Sequence, residues 1–235
     1  MDTGQCEAAS PAPARMTRKR ARAATLLLLA AVGCGGGRGR GAIAVGEWDD
    51  TRRTQIFSRS PDGGARRQLT TGPEEHWMPA WSPDGRRLAC VARTPRGMNL
   101  EVMDADGANR RTLTGAGLAM APSWSPDGQG LAYGYTDVPG TALKIYWAGV
   151  EATDPRPDLP RDVWVTSADG TNPRRLAHGD DPAWSPDGAL IVYPAVWSPD
   201  GRIGVGAIAP DGTNPRVLFF ASGDFGRMSW QPIGR

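Results

Sequence analysis

The chain is poor in residues that would staple it or arm it. Its three cysteines, Cys6, Cys34 and Cys90, are widely scattered among 235 residues. Cys6 and Cys34 fall before or at a processing site argued below, which leaves Cys90 alone among Leu88, Ala89 and Val91. A lone thiol closes no internal disulfide, so Cys90 is read as a small buried apolar residue and the fold as held by packing. Histidine is scarcer, with His76 and His178 only. Neither stands near a Gly-x-Ser-x-Gly turn, so there are few ways to pair a nucleophile with a base. Long apolar runs are missing as well. The strongest, residues 23–33, is too short to span a bilayer but suits the apolar part of a secretory signal. Charge of one sign is also lacking. The formal net charge is +2, and without residues 1–33 it is 22 basic against 23 acidic, leaving no basic stripe for phosphates. That excludes nucleic acid as the expected partner. No pair of carboxylates stands at a spacing that argues for glycoside hydrolysis.

What the chain does have is one repeated string. Trp-Ser-Pro-Asp-Gly begins at Trp81, Trp124, Trp184 and Trp197. Proline pre-sets φ at the second turn position, Asp bonds the local backbone, and Gly takes the left-handed conformation. The three in-phase copies therefore set Trp81, Asp84 and Gly85 beside Trp124, Asp127 and Gly128, and beside Trp184, Asp187 and Gly188, as structural repeat positions. Trp230 continues the series, at spacings of 43, 60 and 46 residues. A second landmark, Asp-Gly at Asp62, Asp106, Asp169 and Asp211, is followed each time by basic residues and a leucine: Leu69, Leu113, Leu176 and Leu218. Two landmarks thus agree on one unit of roughly 40–45 residues, the size of a propeller blade of four strands A to D.

The second unit gives strands at 77–81, 88–92, 100–103 and 110–113, and the third at 120–124, 130–135, 162–166 and 173–176. The fourth gives 183–184, 190–193, 203–208 and 216–219. The first offers only B, C and D, at 42–47, 55–58 and 67–69, while a surplus strand falls around 225–230. If that C-terminal strand completes the first blade, an all-β propeller of four four-stranded antiparallel blades closes with no open edge. The alternative is an open or dimerising array.

These strings, with the Leu-Thr endings at Leu69-Thr70 and Leu113-Thr114, resemble the TolB-type propeller repeat of bacterial envelopes. The resemblance covers residue 42 onward; Leu176-Ala177 and Leu218-Phe219 depart from its ending. It implies a propeller fold and an exported, protein-binding role, although one repeat can serve many roles.

Read in order, residues 1–15 are a disordered extension or a mis-assigned start, with Met16 as the other candidate. Residues 16–33 form a signal peptide, with a basic stretch from Arg18 to Arg22 before the apolar run. Ala31-Val32-Gly33-Cys34 resembles the bacterial lipoprotein cleavage box, which would make Cys34 the lipidated residue and the lipid the only link to a membrane. Simple secretion is the alternative. The remainder of 34–41 is a Gly-rich linker, and 42–235 is one propeller domain, expected to be a monomer anchored on the periplasmic or cell-surface side.

Strands alternate in direction, so the A–B and C–D turns share one face and the D–A and B–C connections the other. The Asp-Gly turns on the first face read as structural closures. Asp104-Ala105-Asp106-Gly107 resembles a calcium loop only superficially, since the later Glu is missing. The second face holds the long insertion 136–161 with Tyr146 and Trp147, and the connections carrying Glu75, His76, Asp180, Asp181 and Asp224. These seven are the expected binding residues for a protein or peptide partner in the cell envelope. No catalytic residue, metal ligand or cofactor is assigned. The competing reading is a hydrolase or lyase whose acidic loop residues hold a divalent cation such as Ca²⁺ at the channel mouth, with Glu75, His76 and Asp181 as its ligands.

Overall fold

The computed structural model describes residues 41–137, 161–196, 202–220 and 228–231. Among them every regular element is a strand. The first unit comprises β1 (Ile43–Trp48), β2 (Thr54–Arg59) and β3 (Arg66–Gln68). The second comprises β4 (Glu75–Trp81), β5 (Arg87–Thr94), β6 (Gly97–Asp104) and β7 (Arg111–Thr112). The third comprises β8 (Gly117–Trp124), β9 (Gly130–Thr136), β10 (Asp162–Ser167) and β11 (Arg174–His178). The fourth comprises β12 (Ala183–Trp184), β13 (Ile191–Val196), β14 (Ile203–Ile208) and β15 (Arg216–Phe220). Neighbours within each unit pair antiparallel. A short parallel bridge, Gly97 to Gly117 and Met98 to Leu118, ties the second unit to the third. The expected strands thus recur within a few residues of their observed places.

The A strands form the hub, since β4 touches β8 and β8 touches β12. The sheets stack face to face, which explains why β6 is buried along nearly its whole length rather than on alternate residues. Ala44, Ile56 and Leu69 of the first unit meet Leu88, Cys90 and Met103 of the second. Ala89, Leu100 and Val102 then meet Ala119, Trp124 and Leu131 of the third. Ala132 and Val163 meet Ile191, Tyr193 and Ile208 of the fourth. Each fully buried Leu, Ile or Val contributes about 1.5–3 kcal/mol, so these three seams supply the core that disulfides do not. Cys90 is buried as expected, and burial pushes its thiol well above the usual range.

The expected closing strand at the C-terminus is not seen among the described residues. The C-terminal segment 228–231 forms no strand on β1; its Met228 and Trp230 pack instead against Ala183, Val192, Val205 and Ala207 of the fourth unit. Among the described residues the sheets therefore do not close into a ring. The basic residues after the C–D turns also tie neighbouring units together. Arg67 donates to the Asp106 carbonyl of the next unit at 3.0 Å, and Arg174 donates likewise to Asp211 and Pro210.

Candidate functional site

On the face of the D–A and B–C connections, the roots of the loops are held by ion pairs. Glu75 lies 3.3 Å from Arg93, both partly exposed, and also accepts from the Thr54 amide. Asp180 pairs with Arg161, and Asp181 donates its amide to the Asp180 carboxylate at 2.9 Å. Asp162, opposite Tyr135 in the β9–β10 register, pairs with Arg175 at 2.6 Å and with the exposed His178 at 2.8 Å. The insertion therefore leaves and re-enters between two paired strand ends. Tyr146, Trp147, Asp224, Cys34 and the out-of-phase Trp197 string lie outside the described residues.

His76 is not at an open mouth. It is fully buried in the seam between the first two units. Thr70 Oγ1–H donates to Gln55 Oε1 at 2.6 Å, and Gln55 Nε2 donates to the Glu74 carbonyl at 2.7 Å, which orients the amide. That oxygen accepts from His76 Nδ1–H at 3.0 Å. Arg110 Nη1 lies 3.1 Å from Nε2. Glu101 Oε2 stands 3.3 Å from Nε2 and 3.6 Å from Arg110 Nε, and Thr112 Oγ1 donates to Oε1 at 3.1 Å. Burial pushes the Glu101 carboxyl up, but His76, Arg110 and Thr112 together bring it below the usual carboxylate range. His76 is thus part of a buried polar clasp. Glu75, His76 and Asp181 do not converge, and no group of three or more His, Cys, Asp or Glu among the described residues could hold a metal ion.

On the opposite face the repeated string folds the same way each time. Ser82 Oγ–H donates to Asp84 at 2.6 Å, Asp84 accepts from the Arg86 amide at 3.0 Å, and Gly85 has φ +68°. Ser125 with Asp127 and Ser185 with Asp187 repeat this at 2.5 and 2.6 Å, ahead of Gly128 at φ +70° and Gly188 at +74°. The serine hydroxyl is the chief reason each of these carboxyls sits below its usual range. A cleft of about 620 Å³ also opens on this face, between the third and fourth units.

Sequence reasoning missed the hub. Met78, Ala121 and Asp181 all have positive φ, at 53°, 48° and 40°, and the β4 and β8 registers slip there. Each is followed by a proline, Pro79, Pro122 or Pro182, two places before its tryptophan. That recurring Pro-x-Trp was the available signal, because the right-handed helical region is disfavoured for the residue before proline.

No family model matches the chain, and no curated protein matches it. Among solved structures, the TolB candidate of Agrobacterium tumefaciens overlays with a TM-score of 0.59 at 21% identity, covering 77% of this chain and 62% of its own. TolB of Acinetobacter baumannii gives 0.58 at 16% identity, covering 79% and 42%. A puromycin-hydrolyzing peptidase of Mycobacterium tuberculosis gives 0.57 at 18%, covering 80% and 29%. The chain thus has the TolB-like propeller fold and spans less than two thirds of each of these proteins. Likeness at such identities extends to the fold alone.

Proposed function

We propose that the chain is a non-catalytic, envelope-anchored propeller that docks a protein or peptide partner through its D–A and B–C loops. The observation that carries the reading is the pairing of Asp162 with Tyr135, which fixes both ends of the 138–160 excursion on one rigid rim. A loop presented from a rigid frame loses less ordering entropy on docking. The carboxylates around it support binding over turnover, because Glu75, Asp162 and Asp180 are each already paired with an arginine of the chain. Export and a lipid at Cys34 belong to the same proposal: the N-terminal pattern supports both, and the likeness to TolB proteins supports export.

The same proposal takes the scaffold as four blades closed by the C-terminal strand. Trp230 Nε1–H donates to the Ala183 carbonyl at 3.2 Å, the relation that Trp124 has with Ala80, which supports reading the segment as a next A strand. Crosslinking and capture from native envelopes, wild type beside a chain lacking residues 141–157, tests the docking face. A defined partner lost with the deletion supports it. A partner retained by the deleted chain refutes that face, and bound divalent metal with turnover and no partner favours the hydrolase or lyase reading.

A further inference from the structure

At the seam between the second and third units the molecule plugs its own gap. Arg87, the first residue of β5, reaches across so that its guanidinium carbon lies 4.8 Å from the centre of the Trp124 ring. Its Nη2 donates to the Gly128 carbonyl at 2.6 Å. An indole face and a turn carbonyl are both electron-rich, and they suit a flat, weakly hydrated cation.

One seam further on, the framework recurs without the plug. Gly130 opens β9 as Arg87 opens β5, each the sixth residue after its tryptophan. Trp184 and Gly188 take the places of Trp124 and Gly128. The turns also abut alike: a Cβ on Gly188 would lie 3.7 Å from Pro126 Cδ, and one on Gly128 3.8 Å from Pro83 Cδ. With no side chain at Gly130, the cleft of about 620 Å³ opens beside Trp184 and Gly188. Among the described residues no group donates to the Gly188 carbonyl. Asp127 and Asp187 also line the cleft, while the guanidinium of Arg174 is turned onto the carbonyls of Pro210 and Asp211.

The geometry points to a binding site for the guanidinium of an arginine presented by a partner peptide, seated over the Trp184 indole and donating to the Gly188 carbonyl. The occupant is the group that Arg87 supplies internally one seam earlier. The site is on the turn face, opposite the loops, so it stands or falls apart from the docking surface proposed above.

The test follows the assigned Trp184 indole ¹H–¹⁵N signal while N-acetyl-Gly-Arg-Gly-amide is added, beside the same tripeptide with citrulline. A saturable shift in about the millimolar range is expected with arginine. Citrulline, uncharged but similar in shape, should bind roughly fivefold or more weakly. Gly130→Arg should abolish the shift and raise the thermal midpoint. No saturable shift in wild type, or equal shifts with the two peptides, overturns the site. A Cβ at Gly130 meets the Thr166 carbonyl at 3.3 Å, so a second variant covers misfolding of the first. Asp127→Asn with Asp187→Asn keeps an acceptor in each turn, and should weaken arginine binding roughly threefold to tenfold at low salt. Unchanged affinity in that variant also counts against the site.

Discussion

The indole N–H of Trp124 crosses the seam between the second and third units and donates to the Ala80 carbonyl at 2.9 Å. Ala80 precedes Trp81, so the acceptor is the residue just before the tryptophan of the preceding unit. Trp230 obeys the rule through Ala183. Trp81 and Trp184 do not, and their Nε1 atoms are buried without a hydrogen-bond partner. For Trp81 the unit before it has no A strand among the described residues. For Trp184 the seam is the wide one that holds the cleft.

Trp124→Phe should therefore destabilise more than Trp184→Phe. Both lose ring volume, but only the first loses a hydrogen bond, a difference of about 1 kcal/mol. Urea unfolding midpoints compare the two. Equal losses would mean that the Trp124–Ala80 bond adds nothing net.

Trp230→Ala tests ring closure. It removes the ring that packs on Ala183 and Val192, and a substitution of this kind costs about 3 kcal/mol or more when the ring is fully buried. Trp230 is only partly buried, so a smaller loss is expected, with faster amide exchange in β13 and β14. If the segment also completes the first blade, β1 (Ile43–Trp48) loses protection in the same variant. Exchange confined to the fourth unit would leave the array open.

Much of this fold was legible because turn chemistry is local. Ser-Pro-Asp-Gly specifies its own hydrogen bonds, so strands on either side could be placed, and β9 and β10 could be matched across a long insertion. What could not be read depends on the neighbouring unit. His76 looks like a loop residue until Gln55 and Thr70 of the first unit close over it. Gly130 looks like an ordinary strand-start glycine until Arg87 shows what the preceding seam places there. Periodicity reports the repeat, but the side chains that differ between copies decide which seams are sealed.

Glu101 should give the protein part of its acid sensitivity. Its carboxyl is depressed in the folded state, so its ionised form adds stability that is fully present above the ordinary glutamate value of about 4.3. That contribution is lost as pH falls through the lower native value. Glu101→Gln should be destabilised at pH 7, by on the order of 3 kcal/mol if the cluster behaves as a broken buried pair. Below about pH 4.3 its urea midpoint should fall less steeply than that of wild type. Parallel pH profiles for the two chains would remove Glu101 from this role.

The seams themselves can be gauged with three glycines that share one backbone conformation. Gly107, Gly170 and Gly212 occupy equivalent C–D turns with φ of 88°, 88° and 87°, so alanine meets the same left-handed penalty of about 1 kcal/mol at each. Their surroundings differ. A Cβ at Gly107 would overlap the Leu69 carbonyl oxygen of the preceding unit. At Gly170 it would meet Leu113 Cδ2 at 3.2 Å and Leu113 Cα at 3.4 Å, and at Gly212 the movable guanidinium tip of Arg174 at 3.3 Å and Leu176 Cδ2 at 3.6 Å. Backbone cannot move aside as a leucine methyl can, so Gly107→Ala should exceed Gly212→Ala by about 1–3 kcal/mol, with Gly170→Ala between them. Urea denaturation of the three variants gives the order directly. A graded series would show the units packed progressively more loosely from the first seam to the third, where Gly130 leaves its gap. Three equal losses would mean evenly spaced seams, and the room for a guanidinium beside Trp184 would have to come from the missing side chain alone.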